Sequence, residues 1–157
     1  MCSTSSDVSG QILGAEDALR FAIRIEENGE AFYREAARSA TGEAKRLFEE
    51  LATAEAGHRG VFERMLGDRG ACEPEESYPG EYLAHLQYYI DGKAVFVEKG
   101  LVGGDDAPAV LAFAIQRELD SLLYFQELRA IVPRAQLHVI DAILAEERAH
   151  FTQLSQL

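Results

Sequence analysis

The sequence predicts an all-α protein, a bundle of four helices built as two related helical hairpins. Three observations carry that expectation. Apolar residues recur with helical spacing over four separate stretches. Polar residues of the second half repeat those of the first at one fixed offset. Turns inside each half are short, whereas the connection between the halves is long. The one β-like run is Ala94–Val97.

The first dozen residues, rich in Ser and Gly, read as a loose tail (1–14). From Ala15 to about Ala40 a helix is expected on Leu19, Ala22, Ile23, Tyr33, Ala36 and Ala37. Thr41 and Gly42 break that pattern. A second helix is expected from about Glu43 to Leu66, with Leu47, Phe48, Leu51, Phe62 and Met65 on one stripe and Gly67 ending it. Pro and Gly punctuate the next segment, 68–106, where only Glu81–Ile90 has the pattern of a short helix. Asp106 can cap a third helix and Pro108 fits its first turn. That helix carries Val110, Leu111, Ala114, Leu122, Phe125 and Leu128 and stops before Pro133. The last runs from about Arg134 on Ile140, Ile143 and Leu154.

Size and charge narrow the function. The chain has 157 residues, enough for a single domain (1–157), and 47% of them are apolar, enough for a core. A formal charge of −12 excludes the basic footprint that nucleic acid needs and disfavours anionic membranes. Cys2 and Cys72 form no CxxC pair, so a thiolate zinc or rubredoxin-type centre is not expected. The N-terminus lacks the basic and apolar regions of a signal peptide, and no apolar run reaches the ~20 residues that span a bilayer. A soluble, cytoplasmic protein is expected.

The repeat has an offset of 92. Phe21-Ala22-Ile23-Arg24-Ile25-Glu26 returns as Phe113-Ala114-Ile115-Gln116-Arg117-Glu118, and Phe32-Tyr33 returns as Tyr124-Phe125. Glu35, Glu55 and His58 return as Glu127, Glu147 and His150. Generic amphipathicity explains repeated apolar positions but not repeated polar identities.

Each hairpin therefore holds one lone glutamate, Glu26 or Glu118, and one Glu-x-x-His, Glu55/His58 or Glu147/His150. Residues three apart share a helix face, and here that face continues the apolar stripe. All six groups are expected to point inward and, being equidistant from the turns, to meet at mid-bundle. Unpaired buried carboxylates cost several kcal/mol apiece. No Lys or Arg is expected on these stripes at the level that would neutralise them. Carboxylate oxygen and imidazole nitrogen suit iron or manganese, and two divalent ions match four carboxylates. A dinuclear site is the expectation.

The arrangement resembles the ferritin-like di-metal carboxylate proteins, whose bundles hold such ligand sets. Through FAIRIEENGEAFY, AEAGH, FAIQRE and AEERAH it is most similar to the rubrerythrin family, over about 15–66 and 107–157. The resemblance implies that Glu55 and Glu147 bridge two iron ions, with manganese or zinc as substitutes. Glu26 and His58 would hold one ion, Glu118 and His150 the other. Segment 68–106 would be the long crossover, returning along the bundle so that helices two and three run parallel. Rubrerythrins typically add a rubredoxin domain, which is not expected here. They also carry a further glutamate three residues after the lone one of helix three. That place is Ser121, and its counterpart is Gly29, two small residues expected to leave room for water, dioxygen or peroxide.

The implied function is a di-iron oxidoreductase of oxidative stress, a peroxidase or ferroxidase. Its substrate would be peroxide or dioxygen, its electrons would come from a separate donor protein, and it would be a homodimer. The rival is iron binding or delivery without turnover. Tyr33, and less so Tyr124, is a candidate hydrogen-bond donor behind the ligands. His85 and His138 are expected off the site, Glu81 and Glu98 are remote candidates for a further ligand, and Glu73, Glu75 and Glu76 read as a solvated loop.

Overall fold

The computed structural model describes residues 15–68 and 106–157. Four helices fill them: α1 (Ala15–Ser39), α2 (Gly42–Gly67), α3 (Ala107–Ile131) and α4 (Leu137–Leu154). Each boundary follows from local chemistry. Gly42, at a φ of 61°, takes the left-handed conformation that L side chains rarely adopt and so makes the tight α1–α2 turn. Asp106 caps α3 by accepting from the Ala109 amide at 3.2 Å. Val132 is extended ahead of Pro133, as a residue before proline prefers, and ends α3. The fourth helix departs from expectation at its start. Arg134–Gln136 forms a 3₁₀ turn, and the α-helix begins only at Leu137.

Contacts between helices set the directions. Tyr124 reaches Ala18 and Arg117 reaches Ile25, so α3 runs antiparallel to α1. Glu43 and Leu47 lie beside Gln156 and Leu157, while His58 meets Glu146, so α4 runs antiparallel to α2. Thus α2 and α3 are parallel, so α2 ends at the opposite end of the bundle from the start of α3. The tail, the crossover, the short helix at Glu81–Ile90, the strand-like run, His85, Glu81, Glu98 and the Glu73–Glu76 cluster lie outside the described residues.

Two apolar clusters bracket the middle of the bundle. One gathers Leu19, Ile25, Phe62, Phe125, Leu128 and Ile143; the other gathers Phe32, Phe48, Leu51, Ala114 and Leu154 near the α1–α2 turn. All the stripe residues expected on α2 are buried. Burial of this kind contributes roughly 25 cal/mol per Å² of apolar surface, and it seals both ends of whatever lies between.

Candidate metal centre

Between the two clusters, the structure brings Glu26, Glu55, His58, Glu118, Glu147 and His150 together. The four glutamates are each 1% exposed, His58 4% and His150 8%. Their donor atoms fall into two groups of four residues. Glu26, Glu55, His58 and Glu147 make one; Glu55, Glu118, Glu147 and His150 make the other, each with donors within 4.8 Å of one another. Glu55 and Glu147 are common to both. The rings of His58 and His150 stand 5.9 Å apart. Helix geometry explains the meeting. Within each hairpin the lone glutamate and the Glu-x-x-His lie equally far from the turn, so antiparallel packing brings them to one level.

Most of these donors lack hydrogen-bond partners. Both oxygens of Glu26, Oε1 of Glu55, Oε2 of Glu118 and Oε1 of Glu147 accept nothing among the described residues, and the Nδ1 atoms of His58 and His150 bond nothing there. His58 Nδ1 lies 2.9 Å from Glu147 Oε1 and 3.7 Å from Glu26 Oε1 without the alignment of a hydrogen bond. His150 Nδ1 lies 3.6 Å from Glu118 Oε2 and 3.8 Å from Glu147 Oε1.

Electrostatics follow from the crowding. Burial, reinforced by the charges of Glu26, Glu147 and Glu118, pushes the Glu55 carboxyl well above the usual range. Burial and Glu118 do the same to Glu147. Burial opposes charge on His58, but Glu147 and Glu26 outweigh it and push the imidazolium up to about 12. Glu118 moves the other way. Burial opposes its charge, yet His150, Glu147, the field of Arg117 and the Tyr33 hydroxyl hold it below the ordinary value.

Arg117 departs from the expectation that no cation reaches this level. It is 3% exposed and joins the cluster, donating to Glu55 Oε2 at 2.9 Å and to the Ile25 carbonyl at 3.2 Å. Its stem leaves α3 beside the stripe, but the long flexible side chain carries the guanidinium across to α1 and α2, where it lies 5.8 Å from the Tyr33 ring centroid. The expected space over Gly29 is filled by this pair: a Cβ there would stand 1.9 Å from Glu55 Oε2 and 2.1 Å from an Arg117 nitrogen. The repeat holds the signal that finds Arg117, since it is a cation where the first hairpin has Ile25.

Tyr33, the candidate donor, gives its hydroxyl hydrogen to Glu118 Oε1. Tyr124 instead donates to the Ala18 carbonyl at 2.7 Å. His138 is exposed on α4, away from the cluster. Glu146, beside Glu147, was not expected at the site, and it places Oε2 2.8 Å from His58 Nε2. Its signal is the Glu-Glu doublet where the first hairpin has Ala54-Glu55.

Comparison with known proteins agrees with this geometry. The family model for rubrerythrin matches residues 17–101, more than half of the chain. Among solved structures, a putative ferritin-like diiron-carboxylate protein from Thermotoga maritima is similar, with 28% sequence identity and a TM-score of 0.65. That match covers 91% of this chain and 93% of the other. No curated protein matches the sequence. With four helices in ferritin-like order, two Glu-x-x-His motifs facing each other and the family model covering both α1 and α2, the chain belongs to the rubrerythrin family.

Proposed function

We propose that the six residues hold two metal ions, natively iron, and that the protein is a non-haem di-iron oxidoreductase acting on peroxide or dioxygen. The observation that carries this is the set of unpartnered donors converging from four helices between two dry apolar clusters. Buried groups without partners are costly, and a pair of divalent cations satisfies them together. In this reading Glu55 and Glu147, shared by both groups of donors, would help to hold both ions. Glu26 with His58 completes one position, and Glu118 with His150 the other. The description of the Thermotoga maritima protein supports iron over other metals.

An Fe(II) pair, when bound, supplies two electrons to a bound oxidant. The chain's own residues do the rest. The apolar clusters exclude water from the middle of the bundle. Tyr33 holds a proton at Glu118 Oε1. Glu146, 59% exposed, links His58 Nε2 to solvent and gives a proton a way out when His58 is deprotonated. Electrons return from a separate donor protein, and a homodimer is the proposed assembly.

Repeated turnover tests the proposal. Protein loaded anaerobically with Fe(II) should be oxidised by one equivalent of hydrogen peroxide, re-reduced, and oxidised again at the same rate. Two ions bound with no second cycle would assign iron binding or delivery instead. Elemental analysis after loading that finds fewer than two ions per chain would remove the dinuclear reading altogether.

A further inference from the structure

The repeat predicts two equivalent half-sites, yet their surroundings are unequal. At the offset of 92, Arg117 stands where the first hairpin has Ile25, and Tyr33 stands where the second has Phe125. Both differences bear on the same half. The Tyr33 hydroxyl donates to Glu118, whereas Glu26 accepts no hydrogen bond on either oxygen among the described residues. Arg117 holds Glu55 through Oε2 and is itself tied to α1 through the Ile25 carbonyl, so its charge is fixed in place. Its guanidinium lies 5.8 Å from the centroid of the Tyr33 ring, the same side chain whose hydroxyl reaches Glu118. On the other half, His58 is oriented by Glu146 at 2.8 Å, and the residue in the matching place for His150 is Ala54, which has no acceptor in its side chain.

A fixed cation beside a ligand set repels a second cation, and a hydrogen bond donated to a carboxylate draws negative charge away from it. An imidazole held by a carboxylate is a better ligand than a free one. All three effects favour the Glu26–His58 position. We propose that Arg117 is a positioning residue that clamps Glu55 through one oxygen and makes the Glu118–His150 position the weaker of the two, so that divalent ions load in order, Glu26–His58 first. This rests on the reading of the six residues as a metal centre.

Mn(II) titration followed by electron paramagnetic resonance and calorimetry separates the two ideas. In the wild-type protein one equivalent should give the signal of isolated ions. Coupled pairs should grow only between one and two equivalents, with the two dissociation constants separated by roughly tenfold or more. Arg117→Ile, which installs the first hairpin's residue, should narrow that separation by about tenfold and bring coupled pairs below one equivalent. Arg117→Lys keeps the charge and should keep the isolated-ion signal. Glu26→Gln should lose the tight step and Glu118→Gln the weak one; both retain Arg117, so they decide the loading order even where Arg117→Ile does not fold. Coupled pairs in the wild type at one equivalent, a tight step surviving in Glu26→Gln, or a separation unchanged in Arg117→Ile would each overturn the inference. Failure to bind any Mn(II) would overturn the metal reading beneath it.

Discussion

The two hairpins present the same three ligand types at the same heights, but they are wrapped in different material. Around the first, the neighbours are Ile25, the Cβ-less Gly29 and, from the opposite hairpin, Glu146 on His58. Around the second, they are Arg117, Ser121 and the Tyr33 hydroxyl on Glu118. Duplication preserves what must meet at one point and leaves free what surrounds it. A ligand is constrained by its partners, whereas a residue one layer out needs only to fill space and satisfy hydrogen bonds. Chemical difference between the halves therefore resides in that outer layer.

The largest effects should come from residues common to both halves. Glu55→Ala and Glu147→Ala each remove a carboxylate belonging to both groups of donors, and each should lower affinity for both ions more than about 100-fold, roughly the loss of a full ligand. Glu26→Ala and Glu118→Ala should each retain about one ion. Elemental analysis after desalting reads the difference, and equal losses in all four variants would mean that no residue is shared.

Metal and pH should next separate the halves. In the metal-free protein, the carboxyls of Glu55 and Glu147 lie above 4.5 and His58 lies near 12. Each of these groups holds protons in the folded state that the unfolded chain releases. Stability should therefore fall as pH rises, from above 4.5 for the carboxyls and between 6.5 and about 12 for His58. Glu118, lowered, contributes the opposite slope, lost as pH falls below 4.5. Divalent metal at 100 times its dissociation constant should add about 2.7 kcal/mol, or roughly 5–10 °C in Tm. It should also release protons on binding. Calorimetric melts between pH 5 and 9, with and without Mn(II), check both. A metal-independent Tm would mean that the six groups do not bind Mn(II).

Gly29 and Ser121 are equivalent by the repeat and differ in their surroundings. Gly29→Ala should gain about 1 kcal/mol of helix propensity but force the buried Arg117–Glu55 pair apart, for a net loss of about 1–3 kcal/mol. Ser121→Ala should cost about 1 kcal/mol or less. Chemical denaturation of the metal-free proteins measures both, and a stabilised Gly29→Ala would mean that Arg117 has room to move.

Smaller than the loss of a ligand is the effect of Glu146→Gln on affinity. Its amide still reaches His58, but the charge is gone, and affinity at the Glu26–His58 position should fall about tenfold with the other position unchanged. The Mn(II) titration reads it. A uniform loss at both positions would erase the comparison.

Much of this was legible in the residues. The stripe residues of α2, the cap at Asp106 and the stop at Pro133 follow from helical period and backbone chemistry, which are local. The six inward groups were legible as well, because amphipathicity alone does not repeat glutamate and histidine at matching places on apolar faces. What stayed hidden involves reach. Arg117 sits one residue before Glu118, and its stripe position alone places it away from the cluster, yet its long stem carries the charge across two helices. Gly29 reads as empty space until the side chain that fills it is found on another helix.

The sequence by itself determined the four helices, their pairing into related hairpins and the level at which six ligand-type side chains meet. Those depend on spacing along one chain, and spacing is what a sequence records. Only the tertiary structure decided that one guanidinium shares the cluster, that Tyr33 serves Glu118 rather than its own hairpin, and that Glu146 holds His58. Each of these contacts spans 62 or more residues and depends on the rotamer of a flexible side chain, which no periodicity encodes.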